Sequence, residues 1–156
     1  MLSELHHLDE RIAQYDVHIR AIAAQSTAAQ QLMQLMGIGA TTATAIEAMV
    51  GNAREFDSGR QFAAWLGLVP GQYRSGGKSR LGRITKAGDA YLRSLLVMGA
   101  RALLNAAASK TARISRWSLK LAERRGYWRA VVAIAATSAR MAWAVLAKGE
   151  RFKMPA

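Results

Sequence analysis

Only two prolines, Pro70 and Pro155, interrupt a chain of 156 residues. Proline fixes φ and lacks a backbone donor, so its scarcity leaves long stretches free to form unbroken helices. Apolar residues recur at helical spacing through most of the sequence, and Gly, Ser and Asp stand at the breaks. We therefore predict an all-α fold without strands, with helices at about 3–24, 28–36, 41–51, 58–66, 87–107, 112–125 and 127–148.

The first predicted helix carries the seam of a coiled coil. Its apolar residues alternate spacings of three and four over about three heptads, and they are Leu5, Leu8, Ile12, Tyr15, Ile19 and Ile22. This pattern predicts either a homo-oligomer joined through residues 2–24 or an amphipathic helix packed on its own domain. Because the heptads end near Ser26, we divide the chain into a coiled-coil helix at 1–26 and a compact basic domain at 27–156.

The charge of the chain is concentrated in one stretch. Lys and Arg number 22 against 10 Asp and Glu, and the segment from Arg74 to Arg129 holds fourteen of the basic residues but only Asp89 and Glu123 as acids. Such a field attracts phosphate backbones, and arginine pairs with phosphate through two parallel hydrogen bonds. The charge predicts nucleic-acid binding, without separating DNA from RNA; a merely solvated basic surface is the alternative.

Several classes of site and location are disfavoured by composition. The absence of cysteine excludes disulfides, thiolate metal sites and cysteine nucleophiles. The histidines His6, His7 and His18 have no acidic or histidine partner at a ligand spacing, so we predict no metal site there. The most apolar stretch, 128–147, contains Arg140, so we expect no membrane span. Trp117, Trp128 and Trp143 lie on apolar helical faces, where we expect core packing rather than base stacking.

A glycine turn separates the second and third predicted helices. Gly37-Ile38-Gly39 follows one apolar helix, and the next helix opens with small and hydroxyl residues such as Thr41. This arrangement resembles the helix-hairpin-helix motif, in which glycines let a backbone phosphate approach and free amides at the second helix donate to it. We predict nucleic-acid contact at Gly37, Gly39 and Thr41; a plain helix corner is the alternative.

The interval 71–84 holds four glycines and four basic residues, which predicts a loop. Within it Ser75 precedes two glycines and is therefore sterically open. The neighbouring cations could neutralise a phosphate and its developing charge; they are Arg74, Lys78, Arg80 and Arg83. The pattern suits phosphoryl transfer to a serine, with Ser75 favoured over Ser79. A loop that only clamps nucleic acid is the alternative.

The segment 62–101 resembles the C-terminal transposase domain of the IS110 family of insertion sequences. The resemblance rests on the runs LGLVP, SGGK, RLGRITKAGD and YLRSLL. It implies a DNA recombinase guided by a structured bridge RNA, in which a serine, here Ser75, attacks the DNA backbone. The basic charge and the glycine-rich loop predict nucleic-acid contact by the residues around this serine, namely Arg74, Gly76, Gly77, Lys78, Arg80, Arg83, Lys86 and Arg93.

In that family a RuvC-like domain with DEDD carboxylates binds Mg²⁺ and completes the site. The present chain has no such carboxylate set, because its ten acidic residues are scattered. The resemblance therefore implies a fragment or truncated product that binds no cofactor itself and receives Mg²⁺ from the missing RuvC-like domain. We expect it to bind DNA and guide RNA in the bacterial cytoplasm, at the nucleoid, without cutting alone. A non-catalytic binding and oligomerisation module is the alternative.

Overall fold

The computed structural model describes residues 1–75 and 78–149, and for 73–75 and 78–81 it describes the backbone. Within these ranges the chain forms seven α-helices and one two-stranded sheet. The helices are α1 (Leu2–Gln25), α2 (Thr27–Leu32), α3 (Ala40–Val50), α4 (Gly59–Trp65), α5 (Ala90–Ala106), α6 (Arg113–Arg125) and α7 (Tyr127–Lys148). The strands are β1 (Pro70–Ser75) and β2 (Lys78–Ile84), and short 3₁₀ turns cover Ala53–Glu55 and Ala107–Ser109.

The predicted all-α class is confirmed. Capping side chains determine where several of the helices begin. The Ser26 hydroxyl accepts a hydrogen bond from the Ala29 amide at 3.1 Å and donates to the Glu47 carboxylate of α3, which ties the α1–α2 junction to the domain. Asp89 Oδ1 accepts from the Leu92 amide at 2.7 Å, so α5 begins at Ala90 rather than at the predicted position 87. The Ser26 cap therefore starts α2 at the point where the heptad pattern of α1 ends.

The predicted loop at 71–84 is wrong, because this interval is an antiparallel hairpin. Pro70 pairs with Ile84 and Ser75 with Lys78, with an irregularity in register between Pro70 and Gln72. Its strands lack the alternation of apolar and polar residues that marks a half-buried strand. One available signal was the Gly-Gly pair at 76–77, since two glycines between short runs are typical of a tight hairpin turn.

Helix α7 forms the centre of the core. It packs against α2, α4, α5 and α6, and its buried face consists of small and branched side chains, namely Ala130, Val131, Ile134, Ala135, Ser138, Ala139, Ala142 and Val145. Among the described helices it alone is long and apolar enough to cross a membrane, with a mean hydropathy of 1.7. Its contacts on several sides are those of a core helix of a helical domain.

The tryptophans differ in their environments. Trp143 is half-buried, and its indole N–H lies 3.0 Å from the Ala53 carbonyl oxygen and 3.2 Å from that of Phe56, which confirms a packing role. Trp128 is 63 % exposed, so the expectation that it packs in the core is wrong. The first three residues of α7 are all exposed, and the buried face of this helix begins only at Ala130.

Candidate nucleic-acid interface

The hairpin is anchored at its base and carries Ser75 at its tip. The Thr85 amide donates to the Val69 carbonyl at 3.0 Å, and the Lys86 amide donates to the Gly67 carbonyl at 3.1 Å. Ser75 is the last residue of β1, about 17 Å along the strand from Pro70 at 3.3 Å per residue. The chain therefore places this serine at the far end of a two-stranded arm.

The base of the hairpin is a close approach between two turns. Gly67 and Gly88 both have positive φ, at +71° and +88°. A Cβ at Gly67 would overlap the backbone of Ala87, and one at Gly88 would overlap the Trp65 carbonyl oxygen. Both glycines are thus required by conformation and by contact. The close packing of these two turns determines where the hairpin leaves the domain.

The cations predicted at this site have different surroundings. The side chains of Arg83 and Lys86 are exposed near the base of β2, and Lys86 adopts the left-handed region with φ +54°. Arg93 on α5 is half-buried, and its guanidinium donates to the Leu66 carbonyl at the end of α4, at 3.2 Å. Arg83 and Lys86 are therefore free to meet a ligand, whereas Arg93 also holds α5 against α4.

The remaining predicted residues of the arm are placed by backbone alone. Arg74 pairs with Ser79, Tyr73 with Arg80, and Ser75 with Lys78. The predicted contacts at Gly76 and Gly77 lie outside the described residues. The backbone register therefore gathers the basic positions Arg74, Lys78 and Arg80 within the outer half of the hairpin.

The glycine turn lies between α2 and α3 as predicted and rests on α5. Gly37 has φ +83°, and a Cβ there would lie 3.0 Å from the Gly99 carbonyl oxygen. Gly39 caps α3, is exposed, and has no atom within 4 Å of a Cβ position. Thr41, in the first turn of α3, is half-buried. The close packing on α5 explains why residue 37 is a glycine. Gly39 has no side chain, so it leaves the N-terminal end of α3 accessible to a ligand.

Helix α5 connects the two candidate regions. Arg93 meets the end of α4 beside the hairpin base, and Gly99 lies under the glycine turn. Six residues separate these positions, or about 9 Å along the helix axis at 1.5 Å per residue. An open cavity of about 420 Å³ between α3 and α5 is lined by the glycine turn, Thr42, Leu95 and Met98. One rigid helix thus sets the distance between the hairpin and the turn.

Both regions fall within a known family. The model of the IS116/IS110/IS902 transposase family matches residues 29–115, which include the glycine turn, the hairpin and α5. The chain belongs to this family. The resemblance drawn from the hairpin segments is confirmed.

Named relatives agree with this membership. A probable family 20 transposase of Pseudomonas aeruginosa is 47 % identical over 93 % of this chain and 43 % of its own length. The transposase of insertion sequence element IS1111A of Coxiella burnetii is 40 % identical over 98 % of this chain and 42 % of its own length. That of element IS1328 of Yersinia enterocolitica is 35 % identical over 97 % and 47 %. The chain spans less than half the length of these relatives.

The described part of this chain offers no set of side chains that fits the Mg²⁺ implied by the resemblance. Within residues 1–75 and 78–149 no three His, Asp or Glu side chains come together as a possible metal site. Oxygen donors are what Mg²⁺ requires, and the exposed side chains described at the hairpin base, Arg83 and Lys86, are cationic instead. These residues are suited to holding phosphate rather than metal.

The exposed cation Arg83 provides the clearest test of phosphate contact. We expect Arg83→Gln to weaken duplex DNA binding and to reduce the slope of log affinity against log salt by about 0.9, because one fewer phosphate is neutralised. Titrations at several salt concentrations measure this slope. Arg20→Gln, on the acidic helix α1, is the matched control and should leave it unchanged. An equal slope for Arg83→Gln and the unmodified chain would remove Arg83 from the interface.

Proposed function

We propose that this transposase chain binds DNA and a bridge-type guide RNA through its basic surface and supplies Ser75 as the nucleophile for DNA strand cleavage and exchange. The observation that carries the proposal is the position of Ser75, which ends β1 at the tip of an arm inside the family-matched range. The surrounding basic positions and the net charge of +12 support it. The chain acts in the bacterial cytoplasm, on DNA of the nucleoid.

The proposed chemistry exchanges one phosphodiester for another. The Ser75 oxygen forms a bond to phosphorus, the bond from phosphorus to one strand oxygen breaks, and that oxygen leaves and takes up a proton. Attack by the hydroxyl of a second strand then releases the serine. Because each step makes and breaks one phosphorus–oxygen bond, the strand exchange needs no external energy source.

A serine hydroxyl is a weak nucleophile at neutral pH, so a base must accept its proton. Arg83 and Lys86 at the base of the hairpin can stabilise charge on the phosphate but cannot serve as that base while protonated. We propose that the base, and the Mg²⁺ that accompanies it in the family, come from a RuvC-like domain. The role of this chain is then to position the serine, bind the phosphate and neutralise its charge.

The decisive experiment is the isolation of a protein–DNA adduct. The chain is mixed with a separately made RuvC-like domain of the same family, its guide RNA, Mg²⁺ and end-labelled donor and target DNA, and products are run on a denaturing gel. Trypsin cleaves after Arg74, Lys78 and Arg80, so it places Ser75 and Ser79 on separate peptides. A nucleotide on the 75–78 peptide supports the proposal. No adduct, from an assembly shown to form, favours a non-catalytic binding module.

We also propose that α1 joins two or more copies of the chain. Its seam residues Leu5, Leu8, Ile12 and Tyr15 are all at least half exposed, and Ala23 is the buried residue of this helix. Helix α1 contacts α2 and α3, and its buried residue Ala23 lies near its C-terminal end. Packing on its own domain therefore does not account for the apolar seam from Leu5 to Tyr15, which remains open to solvent.

Substitution of the seam tests this association. We expect Leu8→Gln with Ile12→Gln to convert an oligomer to a monomer, because two adjacent apolar layers of a short coiled coil are lost. Light scattering after gel filtration measures the mass. The control is Val17→Gln, which changes an equally exposed apolar residue outside the seam and should leave the mass unaltered. A chain that is monomeric before substitution would contradict the proposal.

A further inference from the structure

An exposed pair of aromatic rings stands at the start of α7, outside the hairpin and the glycine turn. Trp128 is 63 % exposed, and the guanidinium carbon of Arg101 lies 5.5 Å from the centroid of its ring. The Tyr127 ring meets the Trp128 ring edge to face, with centroids 5.3 Å apart and planes at 84°. Trp128 thus has the Arg101 guanidinium over one face of its ring and still exposes a large apolar surface to solvent.

Two residues of α5 hold these rings in place. The Tyr127 hydroxyl donates to Asn105 Oδ1 at 2.9 Å, while Arg101 contacts Trp128. Arg101 and Asn105 are four residues apart on α5 and therefore share one face of that helix. We call Arg101, Asn105, Tyr127 and Trp128 the aromatic platform. The Trp128 ring contacts both Arg101 and Tyr127, so its motion is already restricted and less side-chain entropy is lost when a ligand binds.

The surroundings of the platform are strongly basic. Arg124, Arg125 and Arg129 are exposed within the segment 123–129, in which Glu123 is the one acidic residue. A protein partner would need a matching acidic face, whereas a nucleic acid supplies both a negative backbone and flat bases. Bases in a duplex are already stacked on each other, so only an unpaired base can use the indole face.

We propose that the aromatic platform stacks an unpaired nucleobase of DNA or RNA while the neighbouring arginines hold the adjoining phosphates. This inference rests on the proposed nucleic-acid-binding function and adds a second, single-strand-selective contact to it. Aromatic stacking on a base, reinforced by a cation beside the ring, is the general means by which proteins bind unpaired strands without reading sequence. Trp128 lies beyond the family-matched residues 29–115.

The test compares oligo(dT), oligo(U), an abasic oligomer and a blunt DNA duplex, each fluorescein-labelled and about twelve nucleotides long, a length within the range of single-strand binding sites. We expect Trp128→Ala to weaken binding of oligo(dT) or oligo(U) by roughly 5- to 100-fold, the usual effect of losing one stacked base. Binding of the duplex should be unchanged, which shows that the variant is folded. Trp128→Phe, which keeps an aromatic face, should restore most of the loss.

A second exposed aromatic residue provides the matched control. Tyr91 is 55 % exposed on α5, the helix that carries Arg101. Tyr91→Ala should leave single-strand binding unchanged, and the unmodified chain should bind the abasic oligomer more weakly than oligo(dT). Oligo(U) is also compared with oligo(dU), because these two share the base and differ only in the sugar. Tighter binding of oligo(U) assigns the platform to RNA, and tighter binding of oligo(dU) assigns it to displaced DNA.

Three results would overturn the proposal, and the first two leave the proposed function unaffected. The platform stacks no base if the unmodified chain binds oligo(dT), oligo(U) and the abasic oligomer with equal affinity. The same conclusion follows if Tyr91→Ala and Trp128→Ala lose equal affinity for single strands. In both cases continued binding of the duplex still supports the proposed function. Failure of the unmodified chain to bind any of these ligands contradicts both.

Discussion

Ser75→Ala is expected to abolish the protein–DNA adduct while leaving DNA affinity within about twofold of the unmodified chain. Alanine removes the attacking oxygen and nothing else, so the rate of adduct formation should fall by roughly three orders of magnitude or more. Affinity should survive, because phosphate contacts come from the cations around the hairpin and a serine carries no charge. Adduct yield on a denaturing gel and affinity by titration at fixed salt measure the two effects.

The control for this variant is Ser79→Ala. Ser79 pairs with Arg74, so it lies one position from Ser75 in the hairpin register and shares the same basic surroundings. It should form the adduct at the normal rate. Loss of the adduct in Ser79→Ala but not in Ser75→Ala would move the nucleophile to Ser79. An adduct that survives in both variants would exclude both serines.

Helical periodicity predicted most of this fold because the helices bury only one face. Helices α6 and α7 begin and end within one residue of the positions predicted from apolar spacing. The hairpin was missed for the opposite reason: an arm held mainly by its own two strands does not need an alternating apolar face. The local sequence signal for a hairpin was the Gly-Gly pair at 76–77, and the basic residues around that pair favoured a loop instead.

The candidate site was predicted in part. Ser75 and the predicted cations are neighbours in the sequence, so their proximity follows from the order of the residues along the chain. The contact of Arg93 with the Leu66 carbonyl and the platform formed by Arg101 and Trp128 join residues that are distant in the chain. Spacing along one helix could not reveal these contacts, since they depend on how α4, α5 and α7 pack together.

Gly99→Ala is expected to destabilise the domain strongly. In a helix this substitution normally stabilises by up to about 1 kcal/mol. Here a Cβ at position 99 would overlap the carbonyl oxygen of Gly37, which is backbone and cannot rotate away. We expect a net loss of about 2–3 kcal/mol in the free energy of unfolding and a fall in Tm of roughly 5–10 °C. Thermal and denaturant unfolding followed by circular dichroism measure both quantities. A stabilised Gly99→Ala would contradict the close packing of the turn on α5.

Gly39→Ala separates the structural role of the turn from its contact with nucleic acid. No atom lies within 4 Å of a Cβ at Gly39, and its φ of −95° suits any residue, so stability should change by less than about 1 kcal/mol. A Cβ there would nevertheless stand in the path of a phosphate approaching the first amides of α3. Weaker duplex binding by a stably folded Gly39→Ala therefore assigns the open side of the turn to phosphate.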